Sequence, residues 1–222
     1  ISEKEKMKMK KLFALMLAVV MVAAMFTACG SKGYTSENTE FVIGCSGPLT
    51  GAAAVYGVAV KNSAQMAVDE INEAGGLNGV KFKLVSTDDT HDPAKVAANY
   101  ANMYEGGMQV SLGTVTTKPG LEFKEFSKDD NVFVITPSAS GDLIPEYNNA
   151  FQMCFADSNQ GSASANYFND NYKGKQIGIF YKSDDEYSTG ILAKFEEALD
   201  ASFGTVTKAA FVEGDSDFSQ HV

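Results

Sequence analysis

Apolar and polar positions follow two rhythms along the chain, and the switches between them lay out the elements. Phe41 to Ser46 is a short apolar run ending in glycine and proline, which predicts a buried strand. From Val58 to Ala74, Val60, Ala64, Ala67, Val68 and Ile71 recur at spacings of three and four, the stripe of an amphipathic helix. Gly75-Gly76 ends it, because glycine takes the left-handed C-terminal geometry without steric cost. Val80 to Thr87 returns to a period of two, with Phe82 and Leu84 alternating against Lys81 and Lys83. Asp92-Pro93 opens a helix, aspartate capping and proline first inside, and Gly106-Gly107 closes it after Glu105. The same reading predicts strands over 109–113, 132–135, 151–155, 176–181 and 206–212, and helices over 119–128, 160–172 and 189–201. Strand and helix alternating at this spacing specify an α/β fold with a parallel, doubly wound sheet.

The chain before Phe41 has a different character. Met7-Lys8-Met9-Lys10-Lys11 is basic, and Leu12 to Phe26 is apolar without interruption. That run is too short to span a bilayer comfortably, which takes about 20 residues. It fits the apolar region of a secretory signal instead. Thr27-Ala28-Cys29-Gly30 then resembles the bacterial lipobox, with Phe26 where leucine is preferred. Cys29 is therefore expected to be lipidated and to become the mature N-terminus. Residues 1–28 are read as upstream residues and a lipoprotein signal peptide, Ile1 to Lys6 being read-through or an expression scar, and 29–40 as a flexible tether.

Composition narrows the function. Hydrophobic residues at 45% and charged residues at 21% exclude wholesale disorder and a polytopic membrane protein. The net charge is −10, and all 18 basic residues are lysine. A nucleic-acid surface wants a basic face with arginine, so that class is set aside. Removal of residues 1–28 leaves 13 lysines against 26 acids, a net charge of −13. Such a surface stays soluble and repels anionic headgroups, so attachment to a membrane would rest on Cys29. Three cysteines and two histidines argue against a disulfide scaffold or a His/Cys zinc site.

Ligands of open parallel sheets bind beyond the carboxyl ends of the strands. That rule selects three hydroxyl-rich loops: Ser46 to Gly57, Gly113 to Thr117, and Thr136 to Ser140. The second runs into a helix, whose free N–H groups with the Thr116 and Thr117 hydroxyls would make a carboxylate site, or else the threonines simply cap the helix. No dinucleotide fingerprint, P-loop or nucleophile elbow occurs. His91 and His221 read as lone surface histidines, and Asp88-Asp89 as a solvated turn or, alternatively, an acid or metal pair. Cys45 and Cys154 sit in strand contexts as buried thiols or as a disulfide.

Several segments, in order, resemble the leucine/isoleucine/valine-binding proteins, the substrate-binding components of ABC importers. They are Gly47-Pro48-Leu49-Thr50-Gly51, Tyr56-Gly57, Asp69 to Gly79, Asp88-Asp89 with Asp92-Pro93-Ala94-Lys95, Ile135 to Ser140, Asp157 to Gly161, and Asp217-Phe218-Ser219. The resemblance implies a type I periplasmic-binding-protein clamshell of two doubly wound parallel-sheet lobes. The first lobe would cover 41–156 and the second 157–222. It implies that the polar head of a ligand meets Thr116, Thr117, Ser138, Ala139 and Ser140, with Tyr56 and Tyr187 as aromatic walls. Some members carry a disulfide where this chain has His91 and Thr116, so no bridge is implied here. Tyr187-Ser188-Thr189-Gly190 departs from the family's commoner turn. The family continues well past the point that Val222 matches, so the second lobe is expected to be incomplete and the acidic partner of a ligand ammonium to lie beyond the chain end.

The function implied is an extracytoplasmic lipoprotein, lipid-anchored at the cell membrane and monomeric. It would capture an amino acid of the branched-chain type, or a similar small polar solute, and hand it to an ABC permease. No enzyme activity, cofactor, metal or nucleic acid is expected. The alternatives are a sensor module of a receptor and, further off, an exported α/β enzyme.

Overall fold

A computed structural model describes residues 40–221. The signal segment 1–28, Cys29, the tether as far as residue 39, and Val222 lie outside the described residues. Five strands form the first sheet: β1 (Glu40–Gly47), β2 (Lys81–Asp88), β3 (Val110–Leu112), β4 (Phe133–Thr136) and β5 (Ala150–Gln152). They run in the order β2-β1-β3-β4-β5, every neighbouring pair parallel. β1 and β2 pair along their whole length, from Glu40 opposite Lys81 to Gly47 opposite Asp88. The order reverses direction between β1 and β3, which opens a crevice at their carboxyl ends.

Three helices serve this sheet: α1 (Ala54–Glu73), α2 (Val96–Glu105) and α3 (Thr117–Asp129). α1 lies on β1 and β2. α2 follows a single 3-10 turn, Pro93–Lys95, whose start is capped by Asp92 accepting from Ala94 N at 2.9 Å. The core forms where α2 and α3 meet the sheet, with Val96, Tyr100, Met103, Met108, Phe123, Val132 and Val134 all buried. The Tyr100 ring meets Phe123 edge-on at 5.1 Å, and its hydroxyl donates to Asp130 at 2.9 Å, which satisfies the one polar atom in the cluster's centre.

A second, two-stranded parallel sheet pairs β6 (Gln176–Lys182) with β7 (Thr205–Phe211). It is served by α4 (Asp157–Asn171) and α5 (Glu186–Ala198), which pack on each other through Phe168 and Phe195, 5.6 Å apart and edge to face. Gly161 makes that approach possible, since a Cβ there would stand 2.4 Å from the Ile191 carbonyl oxygen.

The elements match the expected order, with one consistent difference. α1, α3, α4 and α5 begin at Ala54, Thr117, Asp157 and Glu186, each earlier than the apolar stripe predicts. The turns that the stripe misses present no apolar side chain to the core: Val55 is 70% and Tyr56 62% exposed, and the buried Thr117 and Asp157 are polar. Hydrophobic periodicity marks only the part of a helix that touches the core, so these turns were invisible to it. Gly57, expected in a loop, sits inside α1, where a Cβ would come 2.0 Å from the Pro48 oxygen. Only glycine lets the start of α1 rest on the loop after β1. At the other end of β5 the strand stops at Gln152, so Cys154 lies outside it.

Candidate functional site

The loops after β1 and β2 are locked together by one carboxylate. Asp88 accepts from Leu49 N at 2.8 Å, Thr50 N at 3.4 Å, the Thr50 hydroxyl at 2.6 Å and Thr90 N at 2.9 Å. Burial works against its ionisation, yet these bonds hold it below the ordinary carboxylate range. Its neighbour Asp89 is not the solvated turn residue expected. It is fully buried, accepts from the Ser46 hydroxyl and from His91 N, both at 3.0 Å, and burial pushes its carboxyl up. Thr90 and His91 take left-handed backbone angles (φ 51 and 64) that turn the chain sharply after Asp89.

That turn gives His91 a role the sequence reading missed. Its Nδ1 shares a 2.9 Å hydrogen bond with the Thr116 hydroxyl in the loop after β3. His91 and Thr116, between which the family resemblance implies no bridge in this chain, are thus joined by a hydrogen bond. Neither threonine of that loop caps α3. Thr116 occupies the N-cap position with extended angles and makes no capping bond. Thr117 Oγ1 accepts from Ser140 N at 3.1 Å, which ties α3 to the loop after β4. The Ser138 hydroxyl donates to the Val115 carbonyl at 2.5 Å, a second tie between the same loops. Ala139 is wholly buried beneath them, its carbonyl accepting from the Thr136 hydroxyl at 2.9 Å.

These loops face a cavity of about 390 Å³. Of the seven binding residues expected, Tyr56, Thr116, Thr117, Ser138, Ser140 and Tyr187 line it; Ala139 is wholly buried and does not. Further walls come from His91, Cys154, Phe155, Gln160 and Asp185, none of which the sequence reading selected. Two signals bear on them. His91 follows the carboxyl end of β2, where the strand-end rule also applies. Gln160 and Asp185 belong to helix starts that periodicity placed too late. Tyr187 lies in the first turn of α5, not in a free turn before it.

Both Cys45 and Cys154 are free thiols. Cys45 is buried, and burial raises its pKa to about 11; Cys154 stands in the cavity wall. A larger cavity of about 560 Å³ adjoins the first and shares Ala53, Tyr56 and His91 with it. Its rim is charged: Lys182 pairs with Glu213, and Lys118 donates to the Asp184 carbonyl at 3.2 Å. Among the described residues no group of three or more His, Cys, Asp or Glu side chains is placed to hold a metal. No described helix is long and apolar enough to cross a membrane.

Chemically, the arrangement offers one wall of hydroxyls with a helix N-terminus, and one wall with a carboxylate and an aromatic ring. It can hold a small polar molecule with an apolar part.

The family model for periplasmic binding proteins matches residues 40–222. The Leu/Ile/Val-binding protein BraC3 of Rhizobium johnstonii is 35% identical over 186 residues, which are 82% of this chain and 50% of that protein. The leucine-, isoleucine-, valine-, threonine- and alanine-binding protein of Pseudomonas aeruginosa is 29% identical over 202 residues, 90% of this chain and 54% of that one. The chain therefore spans about half the length of the curated relatives it matches. Among solved structures, the branched-chain amino acid transporter substrate-binding protein LivJ of Streptococcus pneumoniae, in complex with isoleucine, superposes with a TM-score of 0.76 at 29% identity. That match covers 82% of this chain and 52% of LivJ.

Proposed function

The chain belongs to the periplasmic binding protein family, and from that premise we propose that it is the substrate-binding part of an ABC importer, capturing a branched-chain amino acid or a similar small polar solute. The observation that carries this reading is that Tyr56, Thr116, Thr117, Ser138, Ser140 and Tyr187 line one cavity. Its volume of about 390 Å³ lies within the ordinary range of ligand pockets, roughly 300–1,000 Å³. The polar head of the solute rests on the hydroxyl wall. There the Thr117 hydroxyl accepts from Ser140 N and keeps its own proton to donate, and the N–H groups at the start of α3 favour negative charge. The apolar part lies between Tyr56 and Tyr187, with Phe155 beside them.

The two walls come from the two sheets, so binding is a closure: the solute bridges the lobe of β1–β5 and the lobe that starts at Asp157. Closure is limited by how much better the solute binds the closed form than the open one. Nothing is transformed, and a membrane permease takes the solute onward. Cys29 carries the lipid that keeps the protein at the membrane outside the cytoplasm. Intact-mass analysis of membrane-extracted protein checks that part; a mature N-terminus retaining Leu12 to Phe26 overturns it.

Calorimetric titration tests the main reading, in a chain carried to the length of the relatives so that whatever the rest of their length supplies is present. Isoleucine, leucine and valine are expected to bind one to one and to be recovered unchanged. If none of them bound while another class of solute did, or if the solute were chemically altered, the reading would fail.

A further inference from the structure

The geometry points to His91 and Asp185 as a latch that holds the two lobes closed and tightens when the imidazole takes up a proton, a device that rests on the closure proposed above. His91 follows β2 in the first lobe, and Asp185 holds the N-cap position of α5 in the second. His91 Nε2 lies 3.8 Å from Asp185 Oδ1. That is longer than a hydrogen bond, and a further approach of roughly 1 Å makes it a charge-assisted one. The Asp185 side chain is 12% exposed, and its Oδ1 is buried with no hydrogen-bond partner. It makes no bond to the N–H groups of its own helix, which an N-cap aspartate ordinarily accepts from. On the first-lobe side the ring is already held, since Nδ1 shares a 2.9 Å hydrogen bond with the Thr116 hydroxyl. A hydroxyl suits both charge states of the ring: it donates to the neutral imidazole that carries its proton on Nε2, and accepts from the imidazolium. Protonation therefore breaks nothing at Thr116 and adds a full charge facing Asp185.

The charges around the ring favour the imidazolium. Its own turn supplies Asp89, which accepts from His91 N at 3.0 Å, and Asp92. The second lobe supplies Asp184, Asp185 and Glu213 with Lys182, and the first turn of α3 supplies Lys118. Tyr56 and Tyr187 stand in the same walls. Both lysines are engaged elsewhere: Lys182 pairs with Glu213, and Lys118 donates to the Asp184 carbonyl at 3.2 Å. The Asp184 carboxylate accepts from Glu213 N at 3.0 Å. Of the three second-lobe acids, Asp185 is thus the one with a buried oxygen that nothing satisfies. Asp157, buried in α4, is a further carboxylate whose charge and that of Asp185 act on each other. Buried carboxylates without donors are costly, and an imidazolium beside Asp185 relieves them. Histidine is the side chain whose charge ordinarily changes between pH 5 and 8. The imidazolium meets Asp185 only when the lobes are closed, so by linkage proton and solute favour each other, and a fall in pH favours closure.

The test titrates isoleucine calorimetrically into the relative-length chain, its His91→Gln variant and its Asp185→Asn variant, each at about pH 8 and about pH 6. Glutamine keeps a side-chain N–H but takes up no proton, and asparagine keeps a good N-cap residue. The affinity of the unaltered protein is expected to rise roughly two- to fivefold from the higher pH to the lower, the scale of a part-exposed ion pair. Both variants are expected to lose that rise, whatever their affinity at pH 8. No rise in the unaltered protein overturns the latch. So does a variant whose affinity falls by the same factor at both pH values, because the rise would then survive without the pair. Small-angle X-ray scattering of the ligand-free chain reads closure without any solute. The unaltered protein is expected to be more compact at the lower pH, and His91→Gln to have the same dimensions at both. If isoleucine bound at neither pH, the amino-acid reading would fall and scattering would decide the latch, with equal dimensions of the unaltered protein at both pH values overturning it.

Discussion

Replacing Asp157 with asparagine isolates the cost of one buried charge. The residue opens α4, is 1% exposed, and has no hydrogen-bond partner on either oxygen. The Ser140 hydroxyl lies beside it and works the other way, but burial dominates, and the Asp142 and Asp185 charges add to it, so the carboxyl sits above the ordinary range. Two effects compete at neutral pH. Leaving a buried polar group unsatisfied costs about 1–3 kcal/mol, and more when it is charged. A negative group in the first turn of a helix recovers about 0.3–1 kcal/mol. Burial wins, and Asp157→Asn is expected to stabilise the ligand-free protein by about 1–2 kcal/mol at neutral pH.

The pH dependence follows from the direction of the shift. A carboxyl whose pKa is raised on folding holds its proton more tightly in the folded chain. Its favourable contribution is complete below the unfolded value, about 3.9, and is lost as pH rises through the folded one. Asparagine has nothing to lose over that window. The gain from the substitution should therefore be absent near the unfolded value and grow toward neutrality. Urea denaturation of both proteins, followed by circular dichroism between about pH 4 and pH 8, reads the difference directly. A variant destabilised by the same amount at every pH would refute the reasoning, because it would mean that the carboxylate is satisfied.

Gly161→Ala places a Cβ 2.4 Å from the Ile191 oxygen and 2.8 Å from Phe195 N, so α4 and α5 must separate; a loss of about 1–3 kcal/mol in urea denaturation is expected, and an unchanged midpoint would contradict it. Thr117→Val removes the acceptor of the buried Ser140 N–H and should cost about 1–3 kcal/mol of stability by the same assay, with weaker binding of isoleucine; unaltered stability would show that Ser140 N finds another partner. Of the two free thiols, Cys154 should react with a maleimide at neutral pH and be slowed by isoleucine. Cys45, with its pKa raised to about 11 by burial, should react only on unfolding; equal rates, or no protection by isoleucine, would count against the cavity as drawn.

The strand and helix order was legible because most elements keep one face in a core, and the alternation of Phe82 and Leu84 with lysines or the stripe from Val60 to Ile71 records that face. The strand-end rule selects the loops that hold Thr116, Thr117, Ser138 and Ser140, since a parallel sheet leaves its loops and helix starts at one end. What stayed hidden has a common physical cause. His91, Gln160 and Asp185 reach the cavity from turns or first helical turns, where side chains serve the site and not the core and so carry no periodic signal. His91 also depends on two successive left-handed residues, Thr90 and His91, and neither is a glycine that would have announced the turn. Asp88 and Asp89 look alike in sequence, yet one clamps an exposed loop and the other is buried beneath it. Only the register of β1 on β2, which brings Ser46 opposite Thr87, decides which.

The most direct measurement is diffraction from crystals of the relative-length protein grown with isoleucine. One isoleucine should occupy the cavity between the two sheets, with its polar head on Thr117, Ser138 and the start of α3, and its side chain between Tyr56 and Tyr187. An isoleucine bound away from these residues, or a closed cavity that holds none at saturating concentration, would contradict the assignment of this site.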